Sequence, residues 1–320
     1  MSVNKIVTKV DGVINKTIDF NDLKAGLSAG AHTITAEAWN GAALISTQTK
    51  NITIAAAATY EADTISYMNA LGIADNANPS IYTGVSNKGV WLAVDEYIAD
   101  LKAAAIYTKQ HYNYLRVGGD VTKQAVDLID PNRSGVYFGS WVFGKDGATA
   151  NGINCYFKAI ANPLLLAPTS NNFGMSSVVN RHVAGAAASV QGIYFGISTD
   201  KRVQMYLISA TSILPFFGKA LSSEYTSPTL GFHSINRVSD LAKYHLNGVE
   251  KLSASQSGTT FPDAELYEAA SNWAHNGTIS NYVEGDLGVT AYHQNLTASE
   301  TLAFSNAVSK FETALGRKRY

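Results

Sequence analysis

The sequence predicts a mainly β protein in three parts: a small Ig-like β domain over residues 1–57, a short helical region over 58–115, and a large jelly-roll sandwich over 116–320 that closes with a C-terminal helix. Three observations predict it. Beyond residue 116, short alternating runs are broken by Gly, Asn and Pro at intervals of roughly ten residues, the spacing of strands in an antiparallel sandwich. The stretch before it switches to helical periodicity. Charged residues make up 15% of the chain against 46% hydrophobic, far below the roughly 25% charge of an average soluble domain, so polarity rests on Ser, Thr, Asn and Gly.

Each element has its own local reason. Ala31 to Trp39 alternates, Asn40-Gly41 supplies a turn, and Leu44 to Ile54 resumes the alternation, the pattern of a hairpin. About 55 residues are few for a complete Ig-like sandwich, which is expected to borrow strands or pack on a neighbour. Ala55 to Ala58 reads as a linker. A first helix is expected from Glu61 to Leu71, with acids in its opening turn and Gly72 as its stop. In a second, Val90, Val94, Tyr97, Ile98, Leu101 and Ala105 fall at i, i+4, i+7, i+8, i+11 and i+15 and form one apolar face, with Asp95, Glu96, Asp100 and Lys102 between them. These helices form either a neck or collar between the β parts or a cover over one side of the large domain. Leu241 to Leu252 contains two alternating runs joined by Asn247-Gly248, the pair suited to a type I′ turn. Thr297-Ala298-Ser299-Glu300 is a capping box, opening a helix with Phe304, Val308, Phe311 and Leu315 on one face and Gly316 at its end.

Charge and composition exclude several functions. With 24 basic and 25 acidic residues and a net charge of -1, the chain lacks the massed Lys and Arg of nucleic-acid binders. No window approaches the roughly 18 apolar residues of a membrane span. Met1 to Phe20 has no apolar run after Lys5, which reads as the absence of a signal peptide. Cys155 is alone, so no intrachain disulfide is expected. Synthesis in a cytoplasm, combined with 17 Tyr, 12 Phe and 4 Trp and many neutral polar groups, fits a lectin-like virion component released by lysis.

Chemistry-bearing motifs are few. Gly26-Leu27-Ser28-Ala29-Gly30 spells the nucleophile pattern, but that elbow needs a strand before the serine and a helix after it, whereas a strand follows here. His32, His111, His182, His233, His245, His275 and His293 never fall at metal spacing, so no metal is expected. Asp130 to Gly135 opens like a calcium loop, yet position twelve is Trp141 where a bidentate Glu is needed; a Pro-initiated turn is the plainer reading. No phosphate loop or dinucleotide fingerprint occurs, and no cofactor is expected. Asp146, Asp263, Glu265, Glu284 and Asp286 could supply a glycosidase pair but sit beside turn residues, as solvated loop acids do. Trp141, Trp273 and Tyr292 could be core rings or sugar platforms. Trp273 lies in a polar stretch with Asn272, His275 and Asn276, and these four are the candidate glycan-binding residues.

Two groups of segments carry resemblances to known families. Lys243-Tyr244-His245-Leu246-Asn247-Gly248-Val249 and Gly285 to Glu300, a strand running into Leu-Thr-x-x-Glu and a helix, resemble the laminin-G form of the concanavalin A-like lectin superfamily. Over most of its length the chain resembles structural proteins of phages and prophages of Bacteroidota: AGAHTITAEAWNGAALISTQTKNITI, then DLKAAAIYTKQHYNYLRVGG, the Asp130-Pro131 step, ANGINCYF with Asn162-Pro163 following, and a helix ending Phe-x-x-x-Leu-Gly-Arg at Phe311 to Arg317. This resemblance implies a virion fibre, spike or decoration protein with a lectin-like head. The expectation is therefore a non-enzymatic, trimeric virion protein, attached to other virion proteins through residues 1–57, with a host-surface glycan as partner, no nucleic acid and no membrane insertion. Its rivals are a glycoside hydrolase or depolymerase on the same fold and a bacterial surface adhesin.

Overall fold

The structure, a computed structural model, describes residues 5–10, 13–15, 30–40, 43–54, 59–166, 172–183, 188–194, 202–209, 212–220, 225–226, 230–256, 263–273, 278–317 and 320. The chain divides into two compact units, Met1–Thr59 and Tyr60–Tyr320. In the first, β1 (Lys5–Val10), β2 (Val13–Asn15), β3 (Gly30–Asn40) and β4 (Ala43–Ile54) form an antiparallel sheet in the order β2-β1-β3-β4. The long β3–β4 hairpin pairs Ile34 with Lys50 and Trp39 with Leu44. The Gly26 to Ala29 stretch of the nucleophile-like motif lies outside the described residues.

The second unit contains β5 (Gln110–Tyr114), β6 (Val136–Phe138), β7 (Val142–Gly144), β8 (Gly147–Asn151), β9 (Tyr156–Lys158), β10 (Phe173–His182), β11 (Ala188–Tyr194), β12 (Arg202–Ser209), β13 (Ser212–Ala220), β14 (Tyr225–Thr226), β15 (Gly231–Val238), β16 (Leu241–Leu246), β17 (Val249–Ser255), β18 (Tyr267–Glu268), β19 (Ser271–Trp273), β20 (Thr278–Ser280) and β21 (Glu284–His293). Its helices are α1 (Ala62–Ala70), α2 (Asn87–Ala103), α3 (Val121–Gln124), α4 (Pro163–Leu166) and α5 (Ala298–Ala314). One sheet runs β17-β16-β15-β10-β21-β8-β7 with β5 also on β21; the other runs β14-β13-β12-β11-β18-β9-β6 with β19 on β11 and β20 on β19. Only the β11–β19 pair is parallel among the described pairings. This is a double-layered, mainly antiparallel jelly-roll sandwich. Phe173, Met175, Ile235, Tyr244, Leu287 and Tyr292 of the first sheet meet Phe157, Val190, Val203, Met205, Leu207 and Phe217 of the second in one core.

Residues 58–115 are not a separate neck or collar. From Tyr60 on they belong to the sandwich unit: β5 pairs with β21, and α1 and α2 pack with α5 over the outer face of the first sheet. The apolar faces explain why. Val90, Val94, Tyr97, Ile98 and Leu101 of α2 and Phe304, Val308 and Phe311 of α5 cover Val178, Phe232, Val289 and Ala291, which point outward from β10, β15 and β21. A sheet covered on both faces reads as a continuous buried run, as β10 and β15 do. A spacer would have left those apolar stripes in water at ~25 cal/mol per Å².

The terminal helix is locked at both ends. Thr297 and Glu300 form the expected reciprocal capping box. At the far end Gly316 takes φ +66°, and the amides of Gly316 and Arg317 donate to the carbonyls of Thr313 and Glu312, a Schellman motif. The turn swings Arg317 back beneath the helix, where Nε donates to Glu312 Oε2 (2.6 Å) and the two Nη atoms donate to the carbonyls of Leu115 (2.6 Å) and Arg116 (3.0 Å). The Leu-Gly-Arg ending is thus a cap and clamp. Asn247 and Gly248 adopt φ +50° and +78°, the predicted type I′ turn.

Candidate functional site

Of the four residues expected to bind glycan, the structure describes two. Asn272 lies in β19, half-buried, and its Nδ2 donates to the Glu265 carbonyl at 2.9 Å. Trp273 ends β19, paired in register with Tyr194. His275 and Asn276 lie outside the described residues. The other two candidate rings separate cleanly. Tyr292 is fully buried in the core. Trp141 is half-buried, packs against Tyr137 and Phe143, and donates from Nε1 to the Phe138 carbonyl at 2.8 Å.

A more coherent arrangement spans β6, β9 and β18. These strands are adjacent and antiparallel, with Phe138 opposite Tyr156, and Val136 and Tyr267 both opposite Lys158. Strand alternation splits their residues into two rows. Tyr137, Phe157 and Glu268 point inward, and Phe138, Tyr156 and Tyr267 point outward.

The inner row is tied by one cation. Arg116, just after β5, lies fully buried with its guanidinium 4.0 Å from the Phe157 ring centre. It pairs with Glu268 through Nη2, and Nη1 donates to Tyr137 Oη at 2.6 Å and to the Gln124 carbonyl at 2.9 Å. Tyr292 donates its hydroxyl to the other Glu268 oxygen at 3.3 Å. Burial raises the proton affinity of Glu268, an effect that Arg116 opposes. One side chain thereby joins three strands of two or three residues each, too short to hold register by backbone ladder alone.

The outer row is a stack of rings. Phe138 and Tyr156 lie 4.6 Å apart with planes 7° from parallel, and Tyr156 and Tyr267 lie 5.0 Å apart at 21°. Neighbouring tyrosines and burial raise the Tyr156 hydroxyl above its ordinary pKa, burial being the larger cause and Tyr267 the next. Lys158 and Glu265 form a 2.6 Å ion pair beside the row, so the rim is polar without net charge. Phe138, Tyr156 and Tyr267 were not singled out by sequence reasoning. The usable signal was three short segments, each pairing an inward core residue with an outward ring.

The remaining candidates are structural. Asp130 Oδ1 accepts from the Asn132 amide, and Arg133 bonds Asp127 at 2.6 Å and Asp130 at 3.4 Å. An arginine therefore fills the would-be calcium loop. Asp127 is fully buried, and desolvation lifts it to about 6 despite Arg133. Asp146 pairs with Lys145, Asp286 with Arg181, and Asp263 accepts from Asn162 Nδ2. Among the described residues no cluster of three or more His, Cys, Asp or Glu is placed to hold a metal ion, and no helix is long and apolar enough to cross a membrane. A cleft of about 430 Å³ beside the helical cover is lined by Ile73, Pro79, Tyr82, Asn87, Gly118 and Lys123. Its polar groups are engaged, Lys123 with Asp120 and Asn87 with Asn76.

No family model and no curated protein matches the sequence. Among solved structures the chain is similar to domain 4 of AbnA, an extracellular arabinanase from Geobacillus stearothermophilus, in complex with arabinotriose: 17% identity, TM-score 0.40, covering 62% of this chain and 98% of that one. It is also similar to a Trypanosoma rangeli sialidase in complex with sialic acid, at 10% identity and TM-score 0.46, covering 86% of this chain and 42% of the sialidase. A mutant of that sialidase displaying trans-sialidase activity aligns at 7% identity and TM-score 0.47, over 87% of this chain and 43% of its own. The chain spans less than half the length of these sialidases. Identities this low leave ligand and activity to be read from the chain's own residues.

Proposed function

We propose that the chain is a non-catalytic glycan-binding protein that presents the Phe138–Tyr156–Tyr267 row to a neutral sugar. A single observation carries this: an outward stack of three rings with a charge-balanced polar rim, on the sheet opposite the one that α1, α2 and α5 cover. Sugar rings present a C–H face that packs on aromatic faces, and their hydroxyls need neutral donors and acceptors around them. The absence of catalysis is part of the proposal. Its support is that Asp146, Glu265 and Asp286 are each ion-paired, while Glu268, the acid whose proton affinity burial raises, is sealed in the core beside Arg116.

The proposal extends to a phage particle bearing the protein in several copies, because the segment order resembles phage structural proteins and weak single sites gain attachment through avidity. Affinity electrophoresis of the full chain in gels containing neutral polysaccharides tests the site. Retardation is expected for the wild type and a loss of at least about tenfold for Tyr156→Ala, which removes the middle ring of the stack. Reducing-end release from the retarding polysaccharide, or unchanged retardation of the variant, would refute the reading.

A further inference from the structure

The stacking geometry limits what the row can hold. Near-parallel rings with centres 4.6 and 5.0 Å apart must lie face to face; rings side by side in one plane would collide at their edges. The separations match the spacing of neighbouring strands, so the ring normals run across the strands. Each inner face is therefore covered by the next ring, and Tyr156 has both faces taken.

Phe138 differs because β6 is the last strand of its sheet. Its free face points past the sheet edge, it is 39% exposed, and Tyr156 is its ring partner among the described residues. An edge strand also leaves alternate N–H and C=O groups unpaired. From Ser134 to Gly144 the chain carries no ionisable side chain other than Tyr137, and Tyr137 points into the core against Arg116. One open aromatic face thus lies next to a neutral strand edge, whose Phe138 carbonyl already accepts from Trp141 Nε1 at 2.8 Å.

Resting on the glycan-binding reading above, we infer that this site takes a single neutral sugar ring at the end of a glycan chain, stacked on the free face of Phe138 and hydrogen-bonded to the β6 edge. A polysaccharide lying along the row would need several open, coplanar faces. Face-to-face stacking leaves none between the rings, and at the β6 end it leaves one. Tyr156 and Tyr267 then act as a backing that holds the Phe138 ring upright. Arg116 fixes the strands beneath them.

The experiment compares ligands of equal composition and different length on the intact chain. One neutral polysaccharide that retards the wild type is partly hydrolysed into oligosaccharides, and binding of each fraction is measured by saturation-transfer NMR and calorimetry. Affinity expressed per chain end is expected to stay within about twofold across lengths, while affinity per gram rises as the chains shorten. Phe138→Ala should lose at least tenfold, and Phe138→Leu, which keeps apolar bulk without a ring face, should lose nearly as much. Far-UV circular dichroism checks that both fold.

Affinity that follows mass and not chain ends, or a Phe138→Leu variant binding like the wild type, would overturn terminal recognition while leaving glycan binding standing. Absence of any binding by the wild type would end both readings. A sedimentation coefficient that falls on changing Phe138 would assign the edge to a second copy of the chain and overturn the inference as well.

Discussion

Replacing Arg116 by Met tests the buried pair that underlies the aromatic row. Both partners are essentially inaccessible, so Glu268 would be left without its counter-charge. Losing one partner of a buried pair costs about 3–5 kcal/mol. The carboxylate has an escape, because it can take up a proton. For a group titrating near 4.3, that costs about 3.7 kcal/mol at pH 7 and about 1 kcal/mol at pH 5. Burial raises the Glu268 pKa, which makes these upper bounds for the charge alone. Arg116→Met is thus expected to lose about 3–4 kcal/mol at pH 7, or roughly 6–16 °C in Tm, and markedly less at pH 5.

The double variant Arg116→Met/Glu268→Gln removes both charges. It should recover to within ~1 kcal/mol of the wild type, since well-packed neutral replacements of buried pairs are often tolerated. Tyr137 can then turn its hydroxyl to the Gln124 carbonyl, already 3.4 Å away. Urea unfolding followed by tyrosine fluorescence at pH 7 and pH 5 measures all four quantities. Equal losses in the single and double variants, or a single-variant loss that ignores pH, would refute the electrostatic account and leave packing as the reason for Arg116.

Two further outcomes are expected. His245 and His293 are buried with pKa values lowered from 6.5 to about 4, mainly by desolvation. The unfolded chain then binds more protons than the native one between those values, so each His costs stability as pH falls from about 6.5 to about 4 and nothing above. Asp127, raised to about 6, works in the opposite direction across part of that window. The histidine effect is therefore read as a difference: His245→Phe should reduce the acid-side loss between pH 7 and pH 4 by about 3 kcal/mol in denaturant titrations, and an unchanged loss would refute it. Second, a Cβ at Gly248 would sit 2.8 Å from the Leu302 Cα of α5, whereas one at Gly316 would meet nothing within 4 Å. Both glycines have positive φ, so Gly316→Ala should cost about 1 kcal/mol from backbone strain and Gly248→Ala clearly more; equal thermal shifts would refute the close approach of hairpin and helix.

Much of the fold was legible because it was written in local signals. Asn247-Gly248 specified its turn, Thr297 to Glu300 its cap, and the spacing from Val90 to Leu101 its buried face. The candidate site was less legible. Tyr137-Phe138, Tyr156-Phe157 and Tyr267-Glu268 are separated by many residues, and nothing in their spacing states that β9 lies between β6 and β18. Trp273 and its polar neighbours stand out in the sequence instead, because a large ring in a polar stretch is visible in one dimension.

What the sequence by itself determined is therefore the set of elements and their apolar faces, since period, caps and turn residues act over a few positions. What only the tertiary structure decided is the partnership of those faces: that α1 and α2 cover the sandwich with α5, that Arg116 meets Glu268 across the core, and that three distant rings stack toward the β6 edge. Strand order and cross-sheet pairing depend on contacts between residues far apart in the chain, and hydrophobic burial is non-directional until the whole sandwich closes.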